Sequence, residues 1–466
     1  MSAINSVGLF CAETPGRGRG GVYWMPDEDT GTGGTEGNPV PEASVDPEAG
    51  RADAAFTPAD ANMSLDGSVV VADGSGGNGG TGGLGGTGGI GGAGGVAGSG
   101  GTGGTIVDGG SSDGSPDGAN PPPVPLVQTH VAVALSSYEP GSNAVTKFWN
   151  LTEGRFENVP DVLTHQDTAL SSCGDDVFVV SRGDGRVLAY NKADLSQPLW
   201  TRQFAPTSNP QGVACDDQGR AVISFYNPDP MEAEMIGRRD VVFVDRDTGE
   251  DMGGIDLSPD SPVNPRVSAV GCREDQCYTA LQHQDDNFQV VQPGTLRNVD
   301  DNALSVELEG SNPARMDSHG ASFVIAQTGN FNDDAGGVEM IDPVALLGGF
   351  LPADAFDAFA PGLVAVSGDD AFVGSGFPTV VARVPLSAAE DGVLEVLQVY
   401  ASGAFASDLT TVHAQEVDHV LITERNDLAT WAVVEVDPQG GEGHVLIDTR
   451  PQMMEGGLPP AAVVGF

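Results

Sequence analysis

A short two-strand unit recurs through the C-terminal two-thirds of this 466-residue chain. Its fullest copy, Asn209–Tyr226 (NPQGVACDDQGRAVISFY), contains an Asn-Pro start, a short strand, a polar turn and a second strand. Other copies begin at Asn264, Asn312 and Ala360, and looser copies begin at Asp167 and Asp408. Repeats of such length are typical of solenoids and propellers, where each unit buries its apolar faces against its neighbours. The repeat therefore constrains the fold more than any single motif does.

The apolar runs between these turns have the pattern of strands. They are short, β-branched and alternating, as in VFVVS at Val177 and VVFVD at Val241. The second strands of the units begin near Val131, Val177, Ala221, Cys277, Ser322, Ala371 and Val420. Each step is close to the length of one four-stranded propeller blade, and an insertion at Asn227–Arg239 explains the longest step.

The predicted fold is therefore an all-β, seven-bladed β-propeller that occupies residues 127–466. The first blade lacks an inner strand before His130, while Pro459–Phe466 (PPAAVVGF) matches the inner-strand pattern and has no second strand after it. Because an open ring leaves sheet edges unpaired, we expect this C-terminal strand to complete the first blade.

The N-terminal part of the chain has a different composition. Residues 1–73 are acidic and lack sustained periodicity, and residues 74–126 are rich in Gly, with nine Gly-Gly-x triplets and one Ala-Gly-Ser triplet between Gly76 and Thr105. Segments with so few apolar side chains cannot repay the entropy of ordering. The sequence predicts a disordered region followed by a flexible low-complexity linker.

The net charge of −46 argues against nucleic acid or an anionic membrane surface as a partner. It is compatible with calcium, with cationic partners, or with solubility alone. No apolar stretch is long enough to span a membrane, and the N-terminus contains no clear signal peptide. The acidic, Gly-rich tether resembles those of bacterial envelope lipoproteins. That resemblance implies a cell-envelope or extracellular location, and we expect a monomer.

Two turns carry a resemblance to a known superfamily. The segments Val187–Phe204 and Val241–Leu257 resemble the strand–Asp–x–x–Thr–Gly–strand turns of YVTN-type and quinoprotein-like β-propellers. The quinone dehydrogenases of that superfamily carry repeated Trp motifs and an adjacent Cys-Cys pair, which this sequence lacks. No hydrolase or metalloprotease motif stands out either. We predict no catalytic residue, no metal site and no cofactor, with calcium as the one ion to consider.

One set of residues falls at the end of each predicted inner strand: Cys173, Cys215, Cys272, His319, Ser367 and His413. Such a set could bind zinc or copper, or could reflect the small residues that a crowded channel mouth tolerates. A separation of about 8–10 Å between neighbouring blades is too long for one tetrahedral ion. Cys272 and Cys277 flank a hairpin turn and are predicted to form a disulfide, with buried free thiols as the alternative.

A second set falls where the inner strands begin, and it supplies the candidate rim-binding residues Asn264, Arg266, Asn312 and Arg315. The two arginines could hold a carboxylate or phosphate, or could pair with nearby carboxylates. Asn before Pro also stabilises turns. The segments NFNDD (330–334) and QDDN (284–287) offer oxygen ligands of the kind calcium uses, but exposed β-turns prefer the same residues.

The function predicted from the sequence is a non-catalytic binding or scaffold module at the cell envelope. It would recognise a protein, peptide or glycan through the propeller rim loops, especially the Asn227–Arg239 insertion. The alternative is a hydrolytic propeller enzyme such as a sugar-lactone hydrolase. Titratable side chains that converge on the mouth of the central channel near Asn264 and Asn312 would favour the enzyme.

Overall fold

The structure is a computed structural model. It describes residues 127–466 except 138–142, 261–262, 274, 302–303, 330–334, 357–359, 387–395, 416, 426–430 and 451–457. The predictions for residues 1–73, for residues 74–126 and for a calcium turn at 330–334 lie outside the described residues. No helix in the described part of the chain is long and apolar enough to cross a membrane.

The described strands form seven antiparallel sheets, which confirms the seven-bladed propeller. Blade 1 contains β29 (Pro460–Gly465), β1 (His130–Leu135), β2 (Asn143–Asn150), β3 (Arg155–Phe156) and β4 (Val162–His165). Blade 2 contains β5 (Thr168–Cys173), β6 (Asp176–Ser181), β7 (Arg186–Asn191) and β8 (Trp200–Gln203). Blade 3 contains β9 (Pro210–Cys215), β10 (Arg220–Phe225), β11 (Val241–Asp245) and β12 (Asp251–Ile255).

The remaining blades follow the same order from the inner to the outer strand. Blade 4 contains β13 (Pro265–Arg273), β14 (Gln276–His283), β15 (Thr295–Asn298) and β16 (Ser305–Glu307). Blade 5 contains β17 (Pro313–His319), β18 (Ser322–Gln327), β19 (Gly337–Asp342) and β20 (Leu347–Pro352). Blade 6 contains β21 (Leu363–Ser367), β22 (Asp370–Gly374), β23 (Val380–Pro385) and β24 (Leu397–Ala401). Blade 7 contains β25 (Leu409–Ala414), β26 (Val417–Arg425), β27 (Trp431–Val436) and β28 (His444–Asp448).

The C-terminal strand closes the ring as predicted. Strand β29 pairs antiparallel with β1, with Val463 opposite Val133, and so supplies the inner strand of blade 1. At the end of this pairing the amide of Phe466 donates to the carbonyl of His130 at 3.0 Å. The first and last described strands therefore belong to one sheet.

The core is divided among the interfaces between blades. Seven apolar clusters are present in the described part of the chain, and each joins side chains from two adjacent blades. Middle strands such as β6 are buried along their whole length, since both of their faces meet another sheet. This explains why many strands are continuous apolar runs instead of strictly alternating ones.

The Asp–x–x–Thr–Gly turn after β11 has a structural role. The Asp245 carboxylate accepts hydrogen bonds from the amide and hydroxyl of Thr248, and these bonds lower the pKa of Asp245. The same turn reaches blade 2, where Arg246 pairs with Asp176 at 2.6 Å and its carbonyl accepts a bond from the Trp200 indole. The motif that carries the family resemblance therefore fastens two blades together.

The insertion in blade 3 forms a short helix, α1 (Pro230–Ile236), between β10 and β11. Two further segments form 3-10 turns at Ser258–Asp260 and Ala353–Phe356. Because inner strands begin and second strands end on one side of the ring, α1 lies on the same face as the Asn-Pro starts. We call this side the start face, and the side on which inner strands end the end face.

Candidate binding site at the start face of the propeller

The residues that begin the repeats share one backbone role. The carbonyls of Asn209 and Asn312 each accept a hydrogen bond from the amide just after the second strand of the same blade, at 3.0 and 3.1 Å, and the carbonyl of Asp408 accepts the amide of Thr423 within β26 at 3.0 Å. Asn209 and Asn312 adopt positive φ angles of 46° and 56°, a region that Asn tolerates better than most residues. The geometry that Asn209 and Asn312 share is that of a turn, and the turn accounts for the presence of Asn at both positions.

The structure places Arg315 in a buried ion pair. Its guanidinium donates to Asp408, which lies two blades further round the ring at the start of blade 7. The other Asp408 oxygen accepts the amide of Val463, 2.8 Å away in the C-terminal strand. Burial raises the pKa of Asp408, while Arg315 and the Val463 amide oppose this shift. Arg315 is therefore neutralised within the protein and ties blades 5, 7 and 1 together.

Arg266 has a different environment. Its side chain is buried, with 5% exposure, and its guanidinium stacks on the rings of Tyr226 and Phe288 at 5.0 and 4.3 Å. One nitrogen, Nη2, donates to the carbonyl of Asp285 at 3.3 Å. Within the described residues, Nε and Nη1 make no hydrogen bond of ordinary geometry, and no carboxylate lies within 4.0 Å of the guanidinium. Buried charges are normally paired, so this arrangement is unusual.

A chain of side-chain hydrogen bonds runs beside Arg266 across three blades. The Tyr226 hydroxyl donates to Gln284 at 3.0 Å, and the Gln284 amide donates to Asn312 at 2.8 Å. Asn312 in turn donates to Thr328 at 2.5 Å. The structure thus joins two predicted rim residues, Arg266 and Asn312, through Tyr226 and Gln284. Asn264 lies two residues before Arg266 in the chain and is exposed.

The loop that covers Arg266 is a tight turn after β14. The Asp285 carboxylate accepts the amides of Asn287 and Gln289, at 2.8 and 2.9 Å, in the turn arrangement that the sequence offered as the alternative to calcium. Phe288 has a φ angle of 63° and is 55% exposed. A bulky residue rarely adopts this left-handed conformation, which glycine ordinarily occupies.

Burial shapes the electrostatics of the site. Burial raises the pKa of the Tyr226 hydroxyl, an effect that the nearby Arg266 charge opposes. Burial also lowers the pKa of His283 to about 4, so His283 is neutral at neutral pH. Backbone hydrogen bonds, first that of Gln289, lower the pKa of Asp285, with a smaller contribution from Arg266. Arg266 therefore supplies the positive charge of this site.

Exposed apolar side chains occur in two loops of the start face, and sequence reasoning missed them. Met231, Met235 and Ile236 on α1 are exposed, as are Phe288 and Val291 in the adjacent loop of blade 4. Met231 and Met235 are four residues apart and so share one side of the helix. An aromatic residue within the polar run QDDNFQ was the available signal, because turns of that composition are normally solvent-exposed.

The end face contains two disulfides. Cys272 and Cys277 are bonded across the hairpin turn of blade 4, the first of the two alternatives given for them. Cys173 and Cys215 form a second disulfide that joins the inner strands of blades 2 and 3. Their Cα atoms are 5.9 Å apart, so the expected spacing of about 8–10 Å between equivalent positions was wrong here. Three of the proposed metal-binding thiols are therefore engaged in disulfides.

We expect the two disulfides to differ in their contributions to stability. They close sequence separations of 42 and 5 residues, and loop-closure entropy gives about 4 and about 2 kcal/mol respectively. Urea unfolding of the Cys173→Ala/Cys215→Ala and Cys272→Ala/Cys277→Ala variants measures the free energy of unfolding that each disulfide contributes. Equal losses in the two variants would contradict this expectation.

Two other members of the end-face set, Ser367 and His413, contact Asp418. Ser367 donates to one oxygen of Asp418, and His413 contacts the other through Nδ1 at 2.6 Å. The serine hydroxyl is thus bonded to the carboxylate and not to the imidazole, whereas a catalytic serine needs the base at its hydroxyl. No group of three or more His, Cys, Asp or Glu side chains suited to a metal occurs among the described residues.

Comparisons with known proteins give the fold context. No family profile matches the sequence, and no curated protein matches it. Among solved structures, the dihydro-heme d1 dehydrogenase NirN in complex with DHE is 13% identical, with 68% of this chain and 62% of that chain covered and a TM-score of 0.42. AztD from Citrobacter koseri is 12% identical over 72% and 98% of the two chains, with a TM-score of 0.44. BamB from Moraxella catarrhalis is 10% identical over 68% and 82%, with a TM-score of 0.37. The chain thus aligns with less than two thirds of NirN, and the architecture rests on the strand pairing described above.

Proposed function

We propose that this protein is a non-catalytic binding or scaffold module of the cell envelope. It recognises a protein, peptide or glycan through the start-face loops of blades 3 and 4. At the finer level of family, we place it with the YVTN-type and quinoprotein-like propellers that are carried on a lipoprotein-like tether. Repeat folds of this kind commonly bind ligands through loops that converge from several blades.

The observation that carries this proposal is the apolar surface of the two loops. Five large apolar side chains are exposed there: Met231, Met235, Ile236, Phe288 and Val291. Exposed apolar groups that cluster on one face are typical of interaction sites, and Met side chains adapt to partners of varied shape. The two disulfides support a location in an oxidising compartment such as the periplasm or the cell surface.

The test is capture of a partner by the immobilised full-length protein from an envelope fraction of the source cells. The Met231→Ser/Met235→Ser/Ile236→Ser variant removes the apolar side of α1 and is expected to abolish capture. A matched control, Val344→Ser/Val417→Ser, removes two exposed apolar side chains from the end face and should capture the same partner as the wild type. If both variants behave alike, the start face does not carry the function.

A further inference from the structure

We infer that Arg266 binds the terminal carboxylate of a peptide whose last side chain is apolar. This inference rests on the proposed function and narrows its ligand class to one chemical group at one residue.

The first step concerns the hydrogen-bonding capacity of Arg266. Whichever Nη2 hydrogen donates to the Asp285 carbonyl, the other lies beside Nε or Nη1, neither of which makes a hydrogen bond of ordinary geometry within the described residues, although the Tyr226 hydroxyl is close enough for Arg266 to oppose the rise in its pKa. A two-pronged set of donors therefore remains open on a guanidinium that is 5% exposed. A carboxylate matches that fork with two parallel, charge-assisted hydrogen bonds.

The second step concerns the residue that covers the guanidinium. Phe288 lies 4.3 Å from Arg266, is 55% exposed, and occupies a left-handed backbone position that disfavours bulky side chains. Strained backbone geometry of this kind clusters at binding sites, where the surrounding structure maintains it. Arg266 Nε and Nη1 are buried, so binding of a ligand requires the exposed Phe288 ring to rotate away from the guanidinium.

The third step concerns the charge and shape of the ligand. A protein with a net charge of −46 repels polyanions at long range, so a ligand with one carboxylate is favoured over a polyuronate or a polyphosphate. The exposed apolar side chains of α1 and of the Phe288 loop favour an apolar group next to that carboxylate. A peptide C-terminus combines both features and projects its carboxylate beyond its last side chain.

The experiment is calorimetric titration of the full-length protein with small probes. N-acetyl-phenylalanine is expected to bind at least about tenfold more tightly than its C-terminal amide, which lacks the charge. It is also expected to bind more tightly than N-acetyl-alanine, which lacks the ring, and than glucuronate, which carries a carboxylate on a polar sugar. Equal binding of the acid and the amide, stronger binding of glucuronate, or no binding of the acid at millimolar concentration would overturn the inference.

Two variants assign the two parts of the site. Arg266→Met is expected to abolish the preference for the acid over the amide, and its melting temperature should stay the same or rise, since an unpaired buried charge is removed. Phe288→Gly is expected to abolish the preference for phenylalanine over alanine while it keeps the preference for the acid. Arg239→Met, which removes an equal charge from an exposed ion pair, should bind as the wild type does. Should Arg266→Met fail to fold, the wild-type comparison of acid and amide decides.

The outcome is separable from that of the capture experiment. Loss of capture in the α1 variant with no carboxylate binding by the wild type would support the binding module and reject Arg266 as its anion site. Carboxylate binding that depends on Arg266, without any capture that depends on α1, would support the site and reject the larger interface.

Discussion

Deletion of residues 458–466 is expected to destabilise the propeller by about 5 kcal/mol or more, because it removes the inner strand of blade 1. Val463, Val464 and Phe466 are each at most 3% exposed, and a fully buried apolar side chain of this size contributes about 1.5–3 kcal/mol. Such a loss is comparable with the whole stability of an ordinary domain. Thermal unfolding followed by circular dichroism should show a truncated chain that melts far below the full-length protein or fails to fold.

The control for this deletion restores the strand without the covalent link. A synthetic peptide of residues 458–466, added in excess, should raise the melting temperature of the truncated chain, since it can pair with β1 as β29 does. A truncated chain that melts like the full-length protein would show that the closing strand is dispensable.

The second large effect is expected from Asp408→Ala. The substitution removes the buried carboxylate that Arg315 contacts, which is also the acceptor of the Val463 amide. Removing one partner of a buried ion pair typically costs about 3–5 kcal/mol. Urea unfolding of Asp408→Ala, Arg315→Met and the double variant measures the coupling between the two residues. We expect the double variant to lose less stability than the sum of the single ones, because neither charge is then left alone.

The pH dependence of Arg315→Met gives an independent check. Burial already raises the pKa of Asp408, and loss of Arg315 removes the main charge that opposes this shift. As the pH falls, a carboxyl whose pKa is raised in the folded state binds its proton at a higher pH in the folded protein than in the unfolded chain. The stability of Arg315→Met relative to the wild type should therefore rise as the pH falls from neutral toward about 4. Removal of the exposed pair Asp448–Arg450 should produce no comparable change.

The number of blades and the closing strand could be predicted because both depend on local pattern. Each repeat supplies its own turn residues and apolar alternation, so the period can be counted along the chain. The match between Pro459–Phe466 and the start of Asn209–Tyr226 then identified the strand that was missing from blade 1. Both features can be predicted without knowledge of any long-range contact.

The site depends on contacts that the period does not encode. Arg266 was predicted as a candidate rim-binding residue, but its ring partners lie 40 residues before it and 22 after it, in loops whose paths the repeat does not determine. The same limit applies to the Cys173–Cys215 disulfide, which depends on how closely two inner strands approach. The sequence placed both Arg266 and Arg315 where inner strands begin. Only the structure shows that Arg315 is neutralised by Asp408, and that Arg266 has no carboxylate so close.

The pairing of β29 with β1 also sets an order of events during synthesis. Residues 131 and 465 are directly opposite each other, so one sheet joins segments that leave the ribosome at widely separated times. Blades 2 to 7 each contain strands that are consecutive in the chain, and each can begin to form as it emerges. Blade 1 must wait for residues 460–465, and until then β1 presents an unpaired edge. Until those residues emerge, that edge is accessible to chaperones and proteases.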